Sequence, residues 1–588
     1  MFEQVLAPIA GSLPLTAVCA ALPPVTLFVL LGVFRVKAHV AAMATLLLAM
    51  GLATLGWQMP LGQTVSAAVY GAVYGLIPIL WILVNAVWIY KMAEVSGWFS
   101  VLGSKIRLVS PDMRVQAILI AFCFGALLES LAGFGAPVAI SAVMLIAVGL
   151  RPIKAAVVAL VANTAPVAFG SMAVPITALA SVTDLPVDVL GQMAGRQTPL
   201  LSVFVPLILV YLVDGRRGLR QTWPVALVGG FAFAISQFVS ANFISVEITD
   251  IVAGIVTIAA VLGFLRVWQP AGETVPEDGA VSADGTAPAD GSKVAVTAGA
   301  SSGGAGSADG PATGSGTGTG SGHGARPAGG AGADGAPEGA DAGRASTLMA
   351  AAPYLLIIGL FAIKQIGPVN AWLAEAGTTT VNWPGLHMVA AGGEPVDTEF
   401  KLEHLNGTGT FLLFAGLLTM AVYRLKPGQG VSSYMATLVQ LRWTIVTVTA
   451  VLGLAFVMNF SGQTASLGNA LAAAGGLFAL LSPVVGWFGV AVTGSDTSSN
   501  SLFGALQVAA AEKTGLSPVL LAAANSSAGV LGKMISAQNL AVAAAAIDKP
   551  GSEPEILRKV IGWSLGLLVI FSVIVYLQST PVLGWMVP

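Results

Sequence analysis

The chain has 588 residues, 56% of them hydrophobic and only 9% charged, with a formal net charge of -2. A soluble domain carries about 25% charged residues, so this composition excludes a water-covered globule, and the near-neutral balance argues against a nucleic-acid partner. Many apolar runs reach about 20 residues, the length that crosses a bilayer, which makes this an all-α polytopic membrane protein.

The start, MFEQ, lacks a basic n-region, and the first apolar stretch is followed by Arg35 and Lys37, so the reading is a retained first helix. Full crossings are predicted near 12–33, 38–58, 66–90, 155–180, 197–213, 222–243, 250–268, 347–364, 409–423, 443–460, 517–546 and 560–578, about 12 in all. Stretches 115–150 and 484–510 fit no single crossing, because each carries a Gly-rich or polar break at its middle. Both read as re-entrant helical hairpins. With the hairpins returning and the N- and C-termini outside, the cytoplasmic loops hold 21 of the 26 Lys and Arg residues, as the positive-inside rule requires. Taking either hairpin as a full crossing would invert every later loop.

Three parts follow. Residues 1–268 form an N-terminal membrane half, with hairpin 115–150 entering from the cytoplasmic side. Residues 271–345, which include SSGGAGSADGPATGSGTGTGSG, are a Gly/Ala-rich cytoplasmic linker too poor in apolar surface to fold. Residues 347–588 form a C-terminal half, with hairpin 484–510 entering from outside and an outward segment, 365–408, that caps it. Cys19 and Cys123 sit in apolar stretches as small hydrophobes. The four histidines are scattered without ligand spacing, so neither a metal nor a cofactor is expected.

The halves echo one another. GLRP at 149–152 precedes Asn163, Gly170 and Met172; GLSP at 515–518 precedes Asn525, Gly532 and Met534, with the same Asn-to-Gly and Asn-to-Met spacings. Each hairpin begins with a Phe-Gly pair and reaches an acid, Glu129 in one and Asp496 in the other. With opposite directions of entry this is an inverted repeat, the architecture of many secondary transporters.

Four polar breaks carry the chemistry: Glu129-SLAGFGAP, Asn163-TAPVAFGSMAVP, Thr493-GSDTSSN and Asn525-SSAGVLGKMISAQ. Gly133, Gly135, Pro137, Pro166 and Gly494 interrupt the backbone ladder, which is tolerated at membrane depth only inside protein or beside a watery cavity. Asn163, Thr164, Ser495, Thr497, Ser498, Ser499, Asn500, Asn525, Ser526 and Ser527 supply hydroxyls and amides. Half-helix N-termini add partial positive charge, which suits an anion. Ser141 and Thr177 read instead as hydroxyls bonded back to their own helices. Glu129, Asp496 and Lys533 are ionisable groups at membrane depth and functional candidates by default. Lys533 either pairs with Asp496 or meets the substrate.

ALLESLAGFGAPVAI, NTAPVAFG, VNWPGLH, TGSDTSSNSLFGALQ and NSSAGVLGKMIS resemble the bacterial L-lactate permease family over essentially the whole chain outside the linker. The resemblance implies uptake of L-lactate, with D-lactate and glycolate, together with protons through a bacterial cytoplasmic membrane, on an architecture similar to the ion-transporter superfamily. Ser130 and Leu131 depart from the Gly and Ala usual after the hairpin glutamate. Glu129 and Asp496 are the expected proton carriers, and the Ser/Thr/Asn cluster and Lys533 the expected holders of a 2-hydroxy carboxylate. Sodium coupling to another small carboxylate is the alternative, since hydroxyls and freed carbonyls also suit Na⁺. The breaks hold no His, and no Walker motif is present, so an enzyme or an ATP pump is not expected.

Overall fold

The computed structural model describes residues 2–133, 135–270, 340–390, 393 and 395–588, except the side chains of Arg107 and of 340–345. Most of the expected linker therefore lies outside the described residues. At its end a helix runs Ala340–Lys364, starting before the predicted 347. The described chain is almost wholly helical. Among the described residues, ten helices are long and apolar enough to cross a membrane, or eleven if the bent pair Pro152–Ala162 and Val167–Thr183 counts as one span. Large apolar side chains stand exposed along the outer helices, among them Leu47, Ile235, Val439 and Val569. A surface of this kind needs lipid, not water, around it.

Helices cover the expected crossings with shifted limits, but two of them, Thr249–Phe264 and Thr408–Val422, are shorter than a full membrane span. Leu13–Val33 and Ala38–Leu55 match closely, while Leu61–Val95 is longer and bends at Ile77, whose backbone is extended. The predicted crossing 197–213 is instead two pieces: helix Val187–Ser202 ends before Phe204, and Val205–Val239 runs on through a kink at Asp214 and Gly215. Periodicity could not see this, because the apolar run is continuous across the gap. The guanidinium of Arg114 holds that kink. It pairs with Asp112 at 2.6 Å and with Asp214 at 3.1 Å, which ties the base of the first hairpin to it. Helix Gln463–Leu471 lies beside Asp496–Thr514.

Both regions read as hairpins consist of two arms packed on one another. In the first, Met113–Ala132 and Ala136–Ala147 flank the glycine break, and Ser141 Oγ donates to Ile120 O on the facing arm at 3.5 Å. Ser141 thus bonds across the hairpin, not back along its own helix as expected; Thr177 does bond back, to Ala173 O. In the second, Phe478–Thr493 and Asp496–Thr514 flank Gly494. Ser499 Oγ donates to Gly486 O at 3.3 Å and Gln507 Nε2 to Ser482 O at 3.1 Å, fastening the arms. Gly486 lets this hairpin lie directly against helix Pro518–Lys533: a Cβ there would strike the backbone of Asn525. Close helix approach through small residues is the usual packing solution at membrane depth, where lipid is as apolar as the side chains.

The fourth break falls later than expected. Helix Pro518–Lys533 passes unbroken through Asn525 and ends at Met534, and Ser536 caps the next helix, Ala537–Ala546, by accepting from Asn539 N. Segment 365–408, expected to face outward, carries a two-stranded antiparallel pair, Thr379–Asn382 with Glu399–Leu402. Trp383 Nε1 donates to Ser66 Oγ, and Tyr70 OH to Glu399 O, so this cap is seated on helix Leu61–Tyr74.

Candidate functional site

The four breaks converge. Glu129 and Gly133 from the first hairpin, Val167, Gly170, Ser171, Val174 and Pro175 from the bent pair, Gly494 to Thr497 from the second hairpin and Lys533 line one cleft of about 370 Å³, its mouth included. Gly135 (φ +86°) and Gly494 (φ +75°) adopt the left-handed backbone that lets each hairpin turn. Ser495 then caps the helix that follows, accepting from Ser498 N at 3.2 Å. The positive end of that helix therefore opens at the cleft. Across from it, Ser171 sits in a left-handed turn (φ +49°) and its Oγ accepts from Gly133 N at 3.1 Å.

The charges are almost out of reach of bulk water, with Glu129 2%, Asp496 3% and Lys533 7% exposed. Buried ions need partners. Lys533 finds Glu129, Nζ to Oε1 at 2.6 Å, a contact that joins residues 404 apart in sequence. Asn163 Nδ2 donates to the other oxygen, Oε2, at 2.8 Å. The sequence left Lys533 a choice between Asp496 and the substrate; the structure gives it to Glu129.

Among the described residues, no cation pairs with Asp496. Its Oδ2 accepts from Ser526 Oγ at 2.6 Å and from Asn500 Nδ2 at 3.5 Å. Its Oδ1 has no hydrogen-bond partner. Asn500 also donates to Pro175 O at 3.0 Å and accepts from Asn525 Nδ2 at 2.9 Å, and Gln507 holds Asn525 in turn. This ladder of amides links the second hairpin to both broken helices and fixes where the carboxyl points. Among the described residues, Lys533 is the only basic side chain lining the cleft. A small anion with a hydroxyl group could displace Glu129 from it and meet Ser171, Ser495 or Thr497.

The L-lactate permease family model matches residues 16–299 and 332–582. The chain belongs to the L-lactate permease family. Its relatives include the glycolate permease GlcA of Escherichia coli K12, 38% identical over 98% of this chain and 98% of that one. The L-lactate permeases of Bacillus subtilis 168 and E. coli K12 are each 37% identical, covering all of both chains in the first case and 98% of each in the second. Among solved structures, the YdaH transporter of Alcanivorax borkumensis aligns with 89% of this chain and 88% of its own at a TM-score of 0.43 and 14% identity.

Within this permease the expected site residues fall into three groups. Glu129, Gly133, Gly494, Ser495, Asp496, Thr497 and Lys533 line the cleft. Asn163, Asn500, Asn525 and Ser526 stand behind it as the amides and hydroxyl that hold the carboxyls. The remainder point elsewhere. Thr164 Oγ1 bonds back to Val161 O, Ser498 contributes its backbone N–H, Ser499 fastens the hairpin, and the buried Ser527 hydroxyl has no partner. Gly135 packs on Val542, while Pro137 and Pro166 shape helix starts. Ser171, Val167, Val174 and Pro175 line the cleft without having been singled out as site residues. Their clue lay in the sequence, since all four fall inside the second polar break.

Proposed function

We propose that this permease imports L-lactate, and with it D-lactate and glycolate, across the bacterial cytoplasmic membrane together with protons. The observation that carries the reading is the buried Lys533–Glu129 pair in the cleft. Lactate is an anion at neutral pH, and drawing it in against an inside-negative potential costs about 2.3 kcal/mol per 100 mV. One proton carried alongside cancels that cost. A substrate carboxylate can take Lys533 only if Glu129 lets go, and Glu129 lets go when it is protonated. Anion binding and proton binding are then one event.

The 2-hydroxyl meets Ser171, Ser495 or Thr497, and the methyl of lactate meets Val167 and Val174. Asp496, with one free oxygen beside the cleft, is the second proton site. The two hairpins act as re-entrant elements of an inverted repeat, placing their tips at mid-membrane as in other secondary transporters. The loop charges put both termini outside.

The sodium reading keeps one support of its own: the unpartnered Asp496 Oδ1 lies near hydroxyls that suit Na⁺. Uptake of labelled L-lactate into proteoliposomes, with a pH gradient and no sodium, separates the two. Accumulation without sodium supports proton coupling, and uptake only after sodium is added supports the rival.

A further inference from the structure

The proposed cycle uses two buried carboxyls, and a third lies beside them. Asp250 stands in the first turn of helix Thr249–Phe264 and is fully buried. Its Oδ1 receives one long bond, 3.5 Å, from Gln237 Nε2, and its Oδ2 has no partner. No basic side chain pairs with it among the described residues.

Its setting ties it to the Glu129 pair. Gln237 Nε2 also donates to Ala165 O at 3.1 Å, and Gln237 Oε1 accepts from Thr198 Oγ1 at 3.2 Å. Ala165 belongs to the same short turn as Asn163, which donates to Glu129. Helix Thr249–Phe264 packs directly on Gly125–Ala132, the segment that carries Glu129. Gly254 makes that approach possible: a Cβ there would sit 2.9 Å from Leu127 Cγ.

The charges that reach Asp250 are those of Glu129 and Lys533. Gly170–Thr183 and Ser240–Ile244, which also pack on its helix, contain no charged residue. Ala117–Phe124 brings only the Cys123 thiol, and Val205–Val239 has its charged residues at 214–220, far along the helix from Gln237. One ammonium therefore serves three buried carboxyls: Glu129, Asp496 and Asp250. Fully ionised, the group would carry two uncompensated negative charges away from water, which burial strongly disfavours.

We infer that Asp250 is a third proton-holding carboxyl of the transport cycle. It keeps a proton while Glu129 pairs with Lys533; when the substrate leaves on the cytoplasmic side and Glu129 returns to Lys533, Asp250 takes the proton of Glu129 and passes its own to water on that side, a step that net uptake needs and counterflow does not. The O–H bond broken on Glu129 is re-formed on Asp250, and the O–H bond broken on Asp250 is re-formed on a cytoplasmic water, so one proton crosses with each anion. The inference rests on the proton-coupled reading above.

The test uses the full chain in proteoliposomes, as wild type, Asp250→Asn and Asp250→Glu. Two rates are measured: L-lactate accumulation driven by a pH gradient, alkaline inside, and lactate–lactate counterflow, in which no net proton need be released. Asp250→Asn is expected to cut driven accumulation by about tenfold or more while keeping counterflow near wild type, and Asp250→Glu to recover part of the loss. Unchanged driven accumulation in Asp250→Asn overturns the inference, because the acid is then a permanently neutral packing group. Loss of counterflow along with accumulation, with no recovery in Asp250→Glu, overturns it too, since the role is then structural. A wild type that ignores the pH gradient refutes the coupling reading itself and is distinguished by failing before any variant is compared.

Discussion

Glu129→Gln is the perturbation that most exposes the proposed coupling. In the wild type, a lactate carboxylate reaching Lys533 competes with a carboxylate already 2.6 Å from the ammonium. At an effective dielectric constant of about 20, unit charges at that separation attract by about 6 kcal/mol. Much of this offsets the dehydration of both ions, and removing one partner of a buried pair typically costs about 3–5 kcal/mol. Glutamine keeps the shape and can still accept from Asn163, but it offers Lys533 a dipole in place of a charge. Lactate no longer has to evict an anion. With partial rearrangement of the freed lysine, we expect affinity above neutral pH to rise by about 10- to 100-fold, equivalent to ~1.4–2.8 kcal/mol. Affinity should also stop depending on pH, and gradient-driven accumulation should disappear. Calorimetric titration of lactate into the purified variant across a pH series checks the first two, and proteoliposome uptake the third. Weaker binding, or a retained pH dependence, would refute the competition between Glu129 and substrate.

Four further outcomes follow from the same geometry. Lys533→Gln should abolish lactate binding and lower the thermal midpoint, since it strands a buried Glu129; adding Glu129→Gln should restore the midpoint but not the binding, as thermal unfolding and titration would reveal. Asp496→Asn should remove part of the pH dependence of uptake and leave the part Glu129 supplies, and an unchanged pH profile would remove Asp496 as a proton carrier. Gly529→Ala should lose about 1–3 kcal/mol of stability and most transport, because its Cβ would strike Asp496 Oδ1 and Val490. In the turn after helix Gly170–Thr183, burial first and the neighbouring Asp397 second raise the pKa of Asp184, with Lys401 opposing. A carboxyl raised in the folded state costs stability as pH rises through its folded value, so Asp184→Asn should raise the thermal midpoint at neutral pH and change nothing at strongly acid pH.

How much was legible in the sequence follows from what each residue type must do. Gly494 and the glycines at 133 and 135 were readable as breaks, because glycine and hydroxyl residues inside an apolar run have no helical reason to be there. Asn163 and Ser526 were readable as site neighbours for the same cause, although their partners were not. Lys533 was read as a partner of Asp496 or of the substrate, and Glu129 was missed because no periodicity links residues 404 apart; only the folded path of the chain brings them together. Asn525 looked like a break by its match to Asn163, yet its helix runs on, since its amide is satisfied by Asn500 and Gln507 while the helix keeps its own backbone bonds. Ser171 gave little signal of its own, being one hydroxyl among alanines. Asp250 drew no reading from the sequence, since it stands at the end of the predicted crossing 250–268, where acids usually meet water and the helix dipole. Its full burial comes from the hairpin and from helix Val205–Val239 closing over it, which is a tertiary fact.

The measurement that bears most directly on the central claim is L-lactate uptake by the purified wild-type chain in sodium-free proteoliposomes with an imposed pH gradient, alkaline inside. The account predicts accumulation above the outside concentration that collapses when a protonophore is added. Accumulation that requires sodium, or that persists undiminished after the gradient is dissipated, would contradict it.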